Sequence, residues 1–224
     1  MLATPLLVGI LASGPRVVHL PLTLFWFVGY FAFFATGLWL KSGRKSRYAA
    51  PMRTYALVSA VLGAGTLALQ PDLLRWAPLF VLPLGVGLVA SATRHERALV
   101  SGLATTAGSG MMTVVAYAAG GGTDWTRAWL LAAVLTAYFG GTVVYVKTMI
   151  RERDSVAHFT LSVAWHGAAT IAVAGVSWPL AGVFVILTVR AAIAPAFSLS
   201  PRVVGLFEIA ATLAVAVTAV ATIR

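Results

Sequence analysis

The chain contains no cysteine, and residues that carry charge make up only 10% of it. The first absence excludes disulfides, thiolate metal sites and a cysteine nucleophile. The second removes the solvated shell of a soluble domain, in which about a quarter of residues are charged. No segment is long or polar enough to form a separate soluble domain. There is no phosphate-binding loop, no dinucleotide fingerprint and no serine-nucleophile elbow in a usable context. The first residues lack a basic n-region and a clear cleavage site, so they do not read as a cleavable signal.

What fills the chain instead is apolar. Hydrophobic residues make up 60% of it and the mean hydropathy is +0.92. A run of about 20 apolar residues crosses a bilayer core, and such runs recur along the whole length. Gly, Pro and charge punctuation sets them at Leu20–Leu40, Thr54–Leu69, Ala77–Ala92, Leu99–Ala119 and Trp129–Met149, then at Val156–Ser177, Pro179–Ala196 and Val203–Ile223. Leu2–Leu11 precedes them as about half a span. The sequence therefore predicts an all-α fold: a polytopic membrane helix bundle of eight or nine transmembrane helices, one integral membrane domain over residues 1–224. Small residues inside the spans (Gly63, Gly65, Gly85, Gly87, Gly102, Gly108, Gly110, Gly140, Gly141, Gly167) let helix backbones approach closely.

The net charge of +10 lies in short loops between apolar runs, so membrane orientation explains it better than nucleic acid. Eleven basic residues fall on one side: Lys41, Arg44, Lys45, Arg47, Arg53, Arg94, Arg97, Lys147, Arg151, Arg153 and Arg202. Four fall on the other, Arg16, Arg75, Arg127 and Arg224. The positive-inside rule puts the richer side in the cytoplasm. Trp76, Trp125, Trp129 and Trp178 lie at the opposite ends of spans, as interfacial anchors.

Two stretches about 105 positions apart resemble each other. Lys41-Ser-Gly-Arg-Lys45-Ser-Arg47 with Tyr55, Leu57 and Gly63 is answered by Lys147-Thr-Met-Ile-Arg151-Glu-Arg153 with Phe159, Leu161 and Gly167. Parallel four-helix repeats over 15–119 and 125–224 would produce this pattern, as would two basic loops alike by chance.

The run Tyr138-Phe-Gly-Gly-Thr-Val-Val-Tyr-Val-Lys-Thr-Met-Ile-Arg-Glu-Arg153, with Gly29-Tyr-Phe-Ala-Phe-Phe34 and Arg47-Tyr-Ala-Ala-Pro-Met-Arg-Thr-Tyr55, resembles the YwiC-like bacterial membrane proteins. That resemblance implies the topology and a bacterial cytoplasmic membrane; it carries no settled activity. In that family a Pro-Asn-Gln-His-Gly-Ala-Trp-Ala run leads into the first span. Met1-Leu-Ala-Thr-Pro5 falls just after it, so either the start is placed late or half a helix has been lost. A looser resemblance is to the UbiA-type intramembrane prenyltransferases, with about nine helices in two halves. Those enzymes hold magnesium against a prenyl diphosphate with Asp-rich loops, since hard cations take carboxylate oxygens. Here the first such loop has no acid and the second offers only Glu152 and Asp154. No metal or other cofactor is expected, except magnesium under that resemblance.

Three groups of residues could carry function. Lys41, Arg44, Lys45, Arg47, Lys147, Arg151 and Arg153 form a basic cluster if the two halves pack side by side, and guanidinium forks suit phosphate oxygens. Orientation and attraction to anionic lipids account for them too. Arg190 and Glu208 lie inside the last two spans at similar depth, as a structural ion pair or as a proton or ligand site. His166, with His158 eight residues earlier, has no metal-completing neighbour and reads as a satisfied interior histidine. Expected partners are membrane lipids and an isoprenoid or lipid phosphate, with no nucleic acid. Three classes stay open: a protein binding an amphipathic, anionic-headed ligand; a UbiA-like transferase; and a small secondary transporter.

Overall fold

The computed structural model describes residues 1–197 and 199–224. Among the described residues nine α-helices follow one another: α1 (Ala3–Ser13), α2 (His19–Lys41), α3 (Ala49–Leu69), α4 (Pro78–Ala92), α5 (Leu99–Ala119), α6 (Trp125–Ile150), α7 (Val156–Ala174), α8 (Trp178–Ile193) and α9 (Pro201–Thr222). No strand occurs among the described residues. Seven of these helices are long and apolar enough to cross a membrane. The other two, α1 with 11 residues and α4 with 15, are shorter than a hydrocarbon core requires. The expected eight or nine crossings thus resolve into seven full-length helices and two short ones.

Local chemistry explains several boundaries. α3 starts at Ala49, five residues before its apolar run, because Pro51 falls in the first turn, where a missing N–H costs nothing. Ser155, Ser177 and Ser200 cap α7, α8 and α9, each accepting a backbone N–H three residues on. α8 tightens into a 3-10 turn at Ala194–Ala196, where Pro195 prevents the helix from continuing.

The chain divides into two compact units, residues 1–128 and 129–224. In the first, α5 is the buried helix against which α1 and α4 pack, while α2 lies against α3 and α4. Leu6, Leu22, Met112, Val115 and Ala116 form its core. Polar ties hold the short α1 in place: Ser109 Oγ donates to the Met1 carbonyl at 2.8 Å and Trp26 Nε1 to that of Leu2 at 2.9 Å. Buried His19 clamps the next turn, its Nε2–H donating to the Ala116 carbonyl and its Nδ1 accepting from the Arg16 N–H.

Contacts at both ends of α4 tie the segments that flank it to neighbouring helices. At one end Lys41, closing α2, pairs with Glu96 in the α4–α5 loop. At the other, Arg75 in the 3-10 segment Pro71–Trp76 stacks over Trp125 at 5.3 Å, and Gln70 donates to the Ala118 carbonyl.

In the second unit α7 packs on α8 and α8 on α9. α6 meets α7 where Trp165 Nε1 donates to the Ala137 carbonyl at 2.9 Å. A Cβ at Gly140 would lie 2.6 Å from the Trp165 ring, so only glycine admits this approach. The expected packing role fails at Gly65, Gly85 and Gly167, where an added Cβ would meet nothing within 4 Å. Those three lie on open helix faces.

Candidate functional site

The charged pair inside the spans is the centre of a polar cluster in the second unit. Arg190 stands three residues before the end of α8, and Glu208 seven residues into α9. The turn between these antiparallel helices brings the two to the same depth. Arg190 Nη1 lies 2.5 Å from Glu208 Oε1, and both side chains are largely buried, at 15% and 13% exposure. Pairing is what an intramembrane charge demands, since either one alone costs about 3 kcal/mol on insertion scales.

α6 supplies the rest of the shell. Tyr138, Thr142 and Tyr145 recur at helical spacing and so share one face. Thr142 Oγ1 donates to Glu208 Oε2 at 2.8 Å and the Tyr138 hydroxyl reaches the same oxygen at 3.2 Å. Tyr138 also meets Thr212 Oγ1 at 2.9 Å. The Arg190 guanidinium lies 4.2 Å over the Tyr145 ring, a cation–π contact. Tyr145 in turn stands edge-to-face with His166, ring centroids 6.4 Å apart. His166 is 2% exposed, and its Nδ1–H donates to the Ser162 carbonyl at 2.7 Å. Its other nitrogen has no partner among the described residues, so the expectation of a satisfied histidine holds for one ring nitrogen only. The hydroxyl and aromatic members went unnoticed in the sequence; their signal is the Tyr138-x3-Thr142-x2-Tyr145 spacing on one helix face.

The basic loops are solvated. In the α2–α3 loop, Gly43 and Arg44 both take left-handed backbone, φ +74° and +64°. That is unusual for arginine, and it leaves the Arg44 guanidinium 5.7 Å from the Trp39 ring. Arg47 stacks on Tyr48 at 4.8 Å. Of this loop's basic residues, only Lys41 meets a carboxylate among the described residues, that of Glu96, which the sequence reading overlooked. The Lys41 ammonium donating to it holds Glu96 below the usual carboxylate range. The stability this pair adds is therefore complete above the ordinary value near ~4.3 and lost as pH falls through the lower folded value. Glu96→Gln should flatten the acid side of the melting-temperature profile slightly, and added salt should erase the difference. An unchanged acid profile would show that the contact does not matter in solution.

In the α6–α7 loop, Arg153 donates to the Met149 carbonyl and closes α6, while Arg151 is exposed and Lys147, in the last turn of α6, is half-buried. Glu152 Oε2 lies 3.9 Å from His158 Nδ1, while Asp154 is exposed. No three His, Cys, Asp or Glu side chains come together as metal ligands among the described residues.

Seven apolar spans and a buried ion pair inside them make this chain an integral membrane protein. It belongs to the YwiC-like protein family, whose profile matches residues 1–117. It is 29% identical over 175 residues to the uncharacterized protein YwiC of Bacillus subtilis, covering 74% of this chain and 70% of that protein. An uncharacterized protein of Haemophilus influenzae is 29% identical over 218 residues, 95% of this chain and 90% of its own length. No solved structure matches the chain.

Proposed function

We propose that this protein binds an amphipathic membrane molecule with an anionic headgroup at its basic loops, on the cytoplasmic side of a bacterial inner membrane. The observation behind this reading is the α2–α3 loop, where Arg44, Lys45 and Arg47 extend without carboxylate partners among the described residues. Arg44 is held there in left-handed backbone against Trp39, and such local strain tends to mark functional positions. Lys147 and Arg151 present the same chemistry at the end of α6. Stem methylenes over interfacial aromatics with the charge at headgroup level suit a phosphate better than a neutral head.

Each such residue contributes about 1 kcal/mol near an anionic surface. Changing Arg44, Lys45 and Arg47 together to Gln should weaken phosphatidylglycerol retention by roughly a hundredfold at low salt. Native mass spectrometry of protein from bilayers of phosphatidylglycerol and phosphatidylcholine reads this directly. Competition by farnesyl diphosphate would point to a lipid diphosphate as the natural ligand. Equal retention by the triple variant would refute the reading.

A further inference from the structure

We propose that the Arg190–Glu208–His166 cluster is a second, distinct site that takes the uncharged, oxygen-bearing head of a lipid-soluble molecule, a carbonyl or hydroxyl on an apolar body.

The argument starts from what the cluster leaves unused. Glu208 is fully engaged, one oxygen facing Arg190 and the other accepting from Tyr138 and Thr142. Arg190 is not. A guanidinium carries five N–H donors; Nη1 faces Glu208, the ring of Tyr145 covers one face, and buried Nε and Nη2 have no hydrogen-bond partner among the described residues. His166 Nε2 is likewise buried without a partner, and so is Ser162 Oγ one helical turn away. With Nδ1–H already given to the Ser162 carbonyl, the neutral imidazole offers Nε2 as an acceptor. Uncommitted donors and an uncommitted acceptor thus flank the same tyrosine ring.

Charge selects the ligand class. Arg190 and Glu208 cancel, so an anionic or cationic head would bring an uncompensated charge into an apolar span. An uncharged oxygen accepts from Arg190 without that penalty, and a hydroxyl head can also donate to His166. Access is from the lipid side: the donor and acceptor atoms are themselves buried, so a ligand head reaches them as the side chains that cover them part. Arg190 and Glu208 keep 15% and 13% exposure, and the same helices present Ile186, Val189, Leu206, Phe207 and Ile209 outward. An apolar tail would lie along that surface.

The test uses the full chain in phosphatidylcholine nanodiscs, with decyl-benzoquinone, dodecanol and dodecyl phosphate as probes, each corrected for partition into empty discs. Saturable binding of at least one uncharged probe is expected, with the better one distinguishing a carbonyl from a hydroxyl head. His166→Phe should weaken it about tenfold or more, the effect of one lost buried hydrogen bond. The paired change Arg190→Leu with Glu208→Leu should abolish it, and Lys45→Gln with Arg47→Gln should leave it intact. Should His166→Phe fail to fold, Gly141→Ala replaces it, since a Cβ there would lie 3.0 Å from His166 Nε2 and cover it. No saturable binding of either uncharged probe, indifference to these changes, or dodecyl phosphate binding that the paired Arg190→Leu, Glu208→Leu change abolishes would overturn the assignment.

Discussion

Glu208→Gln should destabilise the protein by about 3 kcal/mol, the low end of the cost of breaking a buried ion pair from one side. Glutamine keeps an oxygen for Tyr138 and Thr142, so the loss falls on Arg190, left charged and uncompensated within the spans. Arg190→Leu should cost less, because Glu208 can neutralise itself by taking a proton. The double change to Leu and Leu should recover most of the loss, since a buried pair replaced by apolar side chains is often neutral or better. Thermal unfolding in one detergent, comparing all four proteins, gives the coupling. Additive losses in the double variant would mean that the pair contributes no net interaction.

A comparably large effect is expected where α6 and α7 meet. Gly140→Val puts a branched side chain where a single Cβ already stands 2.6 Å from the Trp165 ring. The indole must rotate away, breaking its hydrogen bond to the Ala137 carbonyl and shifting His166 beside it. Overpacking of this kind costs about 1–3 kcal/mol, and the lost bond adds roughly 1 more. Trp165→Phe with Gly140→Val should restore part of the loss. Wild-type stability of Gly140→Val alone would show that the interface yields more easily than the contact implies.

How much of this was legible in the sequence depends on the residue. α5 matches its apolar run, Leu99–Ala119, at both ends, because a basic loop and a run of glycines bound it. α3 and α6 extend beyond their runs, since polar residues such as Arg53 and Arg127 still have good helix propensity and hydropathy does not see them. Arg190 and Glu208 stood out by cost alone, and antiparallel neighbours made the pairing readable. Tyr138, Thr142 and Tyr145 did not stand out, because tyrosine and threonine are unremarkable in a span until a charge faces them. Glu96 was lost among arginines in a short loop; its link to Lys41, 55 residues earlier, depends on tertiary structure.

The shortness of α4 has a consequence for the surrounding lipid. The helix proper supplies 15 residues, about 22 Å at 1.5 Å per residue, and the stretch before it carries Asp72 and Arg75, which belong at headgroup depth. Its apolar length therefore falls several ångströms short of a ~30 Å hydrocarbon core, while α2 and α5 beside it match that core comfortably. Acyl chains next to α4 must compress or tilt to cover the difference, at a fraction of a kcal/mol per ångström. The bilayer around this protein would be thinner on that flank, and the protein would partition toward thin, short-chain membranes.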